Sequence, residues 1–248
     1  MTMLDTIAAP FGADARAFVL LKSGRRLDLL NPDPQAWTDD DLAEGPSRTM
    51  RWGGASRWAR PLSVAQHSLT VLAIREAEGR LTPAGALREL FHDATEFMLG
   101  SDCIAPLKAQ LGEPFRELEA RLQAAVDMRY RLPPWPAEDD AKHKRADRLA
   151  AASEAFHVVG WSRTDMVDAL GMAIPPLLDD PLPPNGFARW GPGPRSRTTS
   201  LHGALPRACP RVPVPSVVFR NARPLTRGKP SYDAIPISPI STLFHTHV

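Results

Sequence analysis

The uneven distribution of proline constrains the fold of this chain most strongly. Thirteen of its 26 prolines lie in residues 181–248, where apolar periodicity is lost and closely spaced prolines would interrupt any helix. The same segment contains nine Lys or Arg residues and one acid, Asp233, so it carries a charge of +8 in a chain whose total is +2. We therefore predict an acidic folded body, followed at residues 181–248 by a basic, Pro-rich tail that is disordered.

Helical periodicity dominates the sequence between residues 63 and 180. Ser63 and Gln66 form a capping box, which predicts a helix start, and Gly100 is placed to end a later helix. The predicted helices cover residues 63–79, residues 82–100, a segment opened by Pro114, residues from about 137 to 158, and a segment that begins at Ser162.

A hairpin is predicted ahead of these helices, because residues 17–30 contain two short apolar runs around a Ser-Gly turn. The expected organisation is a hairpin and lead-in segment at residues 1–48, a helical domain at residues 49–180, and the tail. The fold class is all-α, a compact helical bundle preceded by a short β-hairpin.

Composition narrows the class of protein. A hydrophobic share of 43% and a charged share of 23% suit a globular body, and no apolar run is long enough to span a bilayer. The first residues, MTMLDTIAAPFGAD, show no secretory signal, and two cysteines provide neither a disulfide framework nor a thiolate zinc site. We expect a cytoplasmic protein with no membrane association, and an acidic body gives no reason to expect nucleic-acid binding.

The stretch FHDATEFMLG places His92 beside Asp93, with Glu96 three residues later. One interpretation is a charged helix face that happens to contain a histidine, and the other is half of a metal site. Neighbouring residues of a helix project about 100° apart. Both side chains can therefore bind one ion only if the ion lies between the two directions in which they project.

Two further segments offer partners of suitable type. His67 lies in LSVAQHSLTV, and Asp147 lies in the small-residue stretch KRADRLAAASE, where a buried carboxylate costs several kcal/mol unless it is paired or bound to a metal. His67, His92, Asp93 and Asp147 are together a set of nitrogen and oxygen ligands that suits one divalent Mn, Co, Zn or Fe ion better than Ca²⁺.

These residues stand in a wider sequence context: LLNPDP, RWGG, SVAQHS, FHDATE, APLK and KRAD. In order and context they resemble the HD-domain metal-dependent phosphohydrolases, in the branch of bacterial 5′-deoxynucleotidases and phage-type deoxynucleoside triphosphate hydrolases. The resemblance covers roughly residues 20–160. It implies an HD-domain helical bundle, a homodimer, and hydrolysis of nucleotides, foremost deoxynucleotides, by attack of a metal-bound water on phosphorus.

The resemblance also assigns roles to residues. It makes His67, His92, Asp93 and Asp147 the metal ligands and Glu96 the acid that orients the attacking water or takes its proton. Arg51, Trp52, Asp102 and Lys108 would bind the substrate. Ser101 separates Gly100 from Asp102, so the spacing from Asp93 to Asp102 is one residue longer than the family pattern.

Other interpretations of the same residues remain open at this point. Arg51 could serve only to hold its loop, Trp52 could be a core anchor, and Glu96 could be an exposed partner of a neighbouring side chain. The alternative function is a non-catalytic HD module that binds metal and nucleotide for regulation. Monophosphate and triphosphate substrates fit the sequence equally well.

Overall fold

Side-chain hydrogen bonds cap the helices at the positions that the sequence predicts. Ser63 Oγ accepts the backbone N–H of Gln66, and Gln66 Oε1 accepts the N–H of Ser63, which confirms the capping box. Thr82 Oγ1 caps the next helix by accepting the N–H of Gly85. Gly100 adopts a left-handed conformation with φ 75°, which ends a helix as predicted.

A computed structural model describes residues 16–182 and the backbone of residues 188–189, all within one unit, Met1–Ala208. This part of the chain is mostly helical. Its helices are α1 (Asp39–Arg48), α2 (Val64–Glu78), α3 (Pro83–Leu90), α4 (Ala94–Leu99), α5 (Ala105–Leu111), α6 (Glu113–Tyr130), α7 (Ala137–Glu154) and α8 (Arg163–Asp168), with a 3-10 turn at Arg51–Gly54 and a π turn at Ala155–Val159.

The predicted hairpin is confirmed. Strand β1 (Phe18–Leu20) pairs antiparallel with β2 (Arg26–Asp28), with Val19 opposite Leu27. The turn between the strands contains Gly24 at φ 81°, a left-handed conformation that glycine adopts without strain.

The prediction of a single helix over residues 82–100 is wrong, because the segment forms two helices, α3 and α4, that are separated by a turn. Phe91 and Asp93 have ψ of 10° and 21°, outside regular helical geometry. His92 Nδ1 lies 2.7 Å from the carbonyl oxygen of Glu89, so the imidazole satisfies a carbonyl at the end of α3. His92 and Asp93 therefore project from a turn and not from a helix edge.

Helix α5 is an element that the sequence reading did not predict. None of its residues is buried, so it rests on the surface between α4 and α6. The later predictions are confirmed: Pro114 lies in the first turn of α6, α7 continues through the π turn to Val159, and Ser162 caps α8 by accepting the N–H of Asp165.

Helix α2 lies at the centre of the helical packing and contacts α1, α3 and α7. Val71 and Ile74 of α2 form one buried cluster with Ala146 and Ala150 of α7, so small residues on α7 allow the two helices to approach closely. The first turns of α2, the α3–α4 turn and the middle of α7 consequently meet.

No helix among the described residues has the length and apolarity needed to cross a membrane. The predicted disordered tail falls almost entirely outside those residues. At its start, the backbone of β4 (Ala188–Arg189) pairs antiparallel with β3 (Asp179–Asp180). A helical bundle that follows an N-terminal hairpin is thus the architecture of the described chain.

Candidate metal centre

Three side chains from two segments converge on one point. His67 lies one turn into α2, His92 lies in the α3–α4 turn, and Asp93 is the residue that precedes α4. His67 Nε2 is 3.3 Å from His92 Nε2 and 3.4 Å from Asp93 Oδ2. One potential ligand atom from each residue lies within 4.8 Å of the other two, so this group could hold a metal ion.

Asp147 of α7 lies beside this group. Its Oδ1 is 3.0 Å from His67 Nε2 and 4.0 Å from His92 Nε2. Burial would raise the pKa of Asp147, but the hydrogen bond to His67 and the nearby imidazole charges lower it to about 2. The structure therefore brings all four predicted ligands together, with three in a tight group and the fourth facing the same two imidazoles.

The outer nitrogens of both imidazoles are engaged by acceptors. His67 Nδ1 lies 2.7 Å from Glu154 Oε1, and His92 Nδ1 lies 2.7 Å from the carbonyl oxygen of Glu89. A carbonyl oxygen accepts hydrogen bonds and cannot donate, so His92 Nδ1 carries the proton. With Nδ1 engaged in this way, Nε2 is the nitrogen that each ring can offer to a metal once it is deprotonated, and Nε2 of His67 contacts Asp147 Oδ1 at 3.0 Å.

The electrostatics of the group favour positive charge at its centre. Burial, and then the charge of Arg51, act to lower the pKa of His67. Glu154 and Asp147 outweigh both effects and raise this pKa to about 10. The pKa of Asp93 is well below its ordinary value, because the imidazole of His92 and its neighbours outweigh the effect of burial. Carboxylates that stabilise protons on imidazoles in this way can stabilise a metal cation that replaces those protons.

Glu96 lies one helical turn beyond Asp93 and is 2% exposed. Burial is the main cause that raises the pKa of Glu96 to about 9, and repulsion from Asp93 adds to it. Its Oε1 accepts a long hydrogen bond of 3.4 Å from Lys108 Nζ. Its Oε2 is buried, lies 3.8 Å from Arg51 Nη1 and has no hydrogen-bond partner among the described residues, so this oxygen can still accept a hydrogen bond from a bound group.

Arg51 is surrounded by acids. Its Nη1 lies 3.1 Å from Asp102 Oδ1 and 3.4 Å from Asp93 Oδ2, and its Nε lies 3.5 Å from Glu154 Oε2. Burial would lower the pKa of Arg51, and these carboxylates raise it above its ordinary value instead. Arg51 therefore holds its loop in place. A phosphate that bound here would compete with these carboxylates for the Arg51 guanidinium.

Trp52 has a left-handed backbone with φ 58°, which is strained for a residue with a side chain. Two acids anchor it: its backbone N–H donates to Asp102 Oδ2 at 3.0 Å, and its Nε1 donates to Glu154 Oε2 at 3.2 Å. Asp102 contacts both Arg51 and Trp52, so the one-residue-longer spacing before it still brings its carboxylate to this loop.

A cavity of about 1020 Å³ opens beside these groups. Arg51, Glu96, Asp147 and Lys108 form part of its lining. Lys108 Nζ also pairs with Glu119 Oε1 at 2.8 Å. The remaining walls combine cationic and apolar side chains: Lys144, Arg145, Arg148, Ile104, Met172 and Ile174. A pocket that combines charged and apolar side chains suits a ligand that carries both a phosphate and a ring.

Sequence reasoning missed two groups at this site. Glu154 supports His67, and its only signal in the sequence is its position seven residues after Asp147, which is two turns along the same helix face. Arg148 is exposed on the cavity wall, and its position directly after a predicted ligand was the available signal.

No family model matches the chain. The chain is 37% identical over 201 residues to an uncharacterized protein of Rhodobacter capsulatus, an alignment that covers 78% of this chain and 97% of that protein.

Proposed function

The chain belongs to the same protein family as this Rhodobacter capsulatus protein, and we propose that it is a metal-dependent phosphohydrolase that acts on nucleotides, foremost deoxynucleotides. One observation carries the proposal. A group of two imidazoles and a carboxylate that could hold a metal ion lies beside a buried acid, Glu96, one oxygen of which accepts no hydrogen bond from the described residues, in the lining of a cavity with cationic side chains.

The donor set fits a borderline divalent ion. His67, His92, Asp93 and Asp147 would supply two neutral nitrogens and two carboxylates, which suits Mn, Co, Zn or Fe. When bound, such an ion lowers the pKa of a coordinated water from about 15.7 to near 7 and offsets charge on phosphoryl oxygens.

The other catalytic and binding roles would fall to side chains of the chain itself. Glu96, once ionised, would orient the attacking water through Oε2, which accepts no hydrogen bond from the described residues, and would accept its proton. Arg51, Lys108 and Arg148, which all line the cavity, would bind the phosphate oxygens. Apolar lining side chains such as Met172 would exclude water and contact the sugar or base.

A regulatory module that binds metal and nucleotide without hydrolysis is the alternative function. Such a module has no need of a buried acid beside the metal ligands with an oxygen that can still accept a hydrogen bond, and Glu96 therefore favours the enzyme.

The experiment is a panel of purified ribo- and deoxynucleotides, as mono- and triphosphates, incubated with protein loaded with Mn²⁺, Co²⁺ or Zn²⁺. Chromatographic separation distinguishes release of phosphate from release of triphosphate and so identifies the bond that is cleaved. Binding of nucleotide and metal without any product, across the whole panel, would support the regulatory module and refute the enzyme.

A further inference from the structure

Glu154 is a fully buried carboxylate at the last residue of α7, and both of its oxygens are used. Oε1 lies 2.7 Å from His67 Nδ1, and Oε2 accepts a hydrogen bond of 3.2 Å from Trp52 Nε1. These two partners belong to different parts of the site, since His67 is a candidate metal ligand and Trp52 belongs to the loop at the cavity wall.

The contacts fix the direction of each hydrogen bond. An indole Nε1 can only donate, so Glu154 must accept from Trp52. A buried carboxylate without donors is costly, and ionised Glu154 satisfies its second oxygen by accepting from the Nδ1–H of His67. Nδ1 of His67 is thereby occupied, and Nε2, which lies 3.0 Å from Asp147 Oδ1, is the nitrogen that can bind a metal when it gives up its proton.

The same carboxylate also restrains the loop. Trp52 has a left-handed backbone, and strained conformations persist only where the surroundings hold them. The indole bond to Glu154 is one of two acidic anchors that hold Trp52, and Arg51 Nε lies 3.5 Å from the same oxygen. Substitution of Glu154 would therefore affect the metal ligand and the loop together.

We propose that Glu154 is a positioning residue that fixes the tautomer and ring orientation of His67 for metal binding and, through its second oxygen, joins the metal centre to the Arg51–Gly54 turn. The proposal rests on the metal centre of the proposed function, but it does not depend on hydrolysis. Asp147 and Glu154 lie two turns apart on α7, so one helix face supplies both a candidate ligand and the group that orients another.

Metal titration tests the proposal without any substrate. Glu154→Gln keeps the size of the side chain, but its amide can accept from only one of the two donors. Glu138→Gln is the matched control, because Glu138 lies on the same helix with a side chain that is 80% exposed. We expect Co²⁺ binding by Glu154→Gln to weaken roughly 10- to 100-fold, with an altered Co²⁺ absorption spectrum, while the control stays within about twofold of the wild type.

Wild-type affinity together with an unchanged Co²⁺ spectrum in folded Glu154→Gln would overturn the proposal. A second measurement needs no variant at Glu154: long-range ¹H–¹⁵N correlation spectra of the Zn²⁺-loaded wild type, with His67 assigned from the spectrum of a His67→Gln protein. The proton is expected on Nδ1 of His67, and a deprotonated Nδ1 would overturn the proposal even if Glu154→Gln failed to fold.

These measurements separate the two proposals. A wild type that binds Co²⁺ in the expected way but hydrolyses no nucleotide would refute the enzymatic function and leave the role of Glu154 intact. A wild type that binds no divalent ion would overturn both.

Discussion

Replacement of Glu96 by glutamine separates catalysis from metal binding at this site. Glu96 is 2% exposed and lies one turn beyond Asp93, so its carboxyl group faces the cavity without belonging to the group of potential ligands. We expect Glu96→Gln to bind metal normally and to lose most of its turnover, because an amide cannot accept a proton from the attacking water.

The expected magnitude follows from the role of the group. Removal of a positioned general acid or base costs about 10²–10⁴ in rate, or about 3–5 kcal/mol in activation free energy. Stability should change little, since burial and Asp93 raise the pKa of Glu96 to about 9 and so favour the neutral form that glutamine mimics. A loss of activity without a loss of stability would therefore report on the reaction itself.

The assay is steady-state kinetics on the nucleotide that the panel identifies, with metal content measured on the same samples by elemental analysis. Glu113→Gln provides the matched control, because Glu113 is exposed on α6 and its side chain is 67% accessible. If folded, metal-loaded Glu96→Gln turned over at close to the wild-type rate, another group would have to accept the proton and the role given to Glu96 would be wrong.

Further predictions address the ligands, the loop, the tail and the effect of pH. His92→Ala and Asp147→Ala should each lose most of the bound divalent ion, because three ligands hold a borderline ion much more weakly than four, and elemental analysis that found full occupancy would remove that residue from the site. Arg51→Ala should raise KM more than it lowers kcat, and it should also lower the melting temperature because nearby carboxylates lose their counter-charge. Removal of residues 183–248 should change kcat less than about tenfold, since this sequence offers no apolar periodicity for packing, and a larger loss would identify a functional segment. The pKa of His67 is raised in the folded chain to about 10, so chelator-treated protein should be most stabilised by this group below about pH 6.5 and should lose that stability as pH rises toward 10, whereas melts with added metal should show a weaker dependence.

Local signals in the sequence were sufficient for most helix starts. The capping residues Ser63 and Thr82 act through hydrogen bonds within their own first turn, so the sequence alone contains both partners. The Ser-Gly turn of the hairpin is local in the same sense, because Gly24 supplies the positive φ.

The break between α3 and α4 had no such signal. Residues 82–100 contain apolar positions at helical spacing and no internal proline, so propensity favours one continuous helix. The break is associated with contacts to distant residues, namely the approach of His92 Nε2 to His67 Nε2 and of Asp93 to Arg51. Tertiary interactions therefore override the local preference at His92 and Asp93, two of the proposed metal ligands.

Helix α5 was missed for the opposite reason. Ile104, Leu107 and Leu111 have helical spacing, but they remain 44–49% exposed, and the helix has no buried face from which a boundary could be deduced. This spacing is enough to predict a helix in the segment. The position of the helix beside the cavity, however, depends on the direction that the backbone takes after Gly100.

The acids around Arg51 explain why the site could be predicted as a ligand set but not as a network. Each carboxylate, taken alone in the sequence, is compatible with a solvated surface position. In the fold, the carboxylates around Arg51 and the imidazoles outnumber the permanently positive side chains. Bound protons offset part of this excess negative charge, because the pKa of His67 is raised to about 10 and that of Glu96 to about 9. A divalent cation at Nε2 of the imidazoles would replace those protons and leave Glu96 free to ionise. The acids of this network are Asp93, Glu96, Asp102, Asp147 and Glu154. In the proposed metal centre Asp93 and Asp147 would serve as ligands, Glu96 would accept the proton of the water, and Asp102 and Glu154 would orient Arg51, Trp52 and His67.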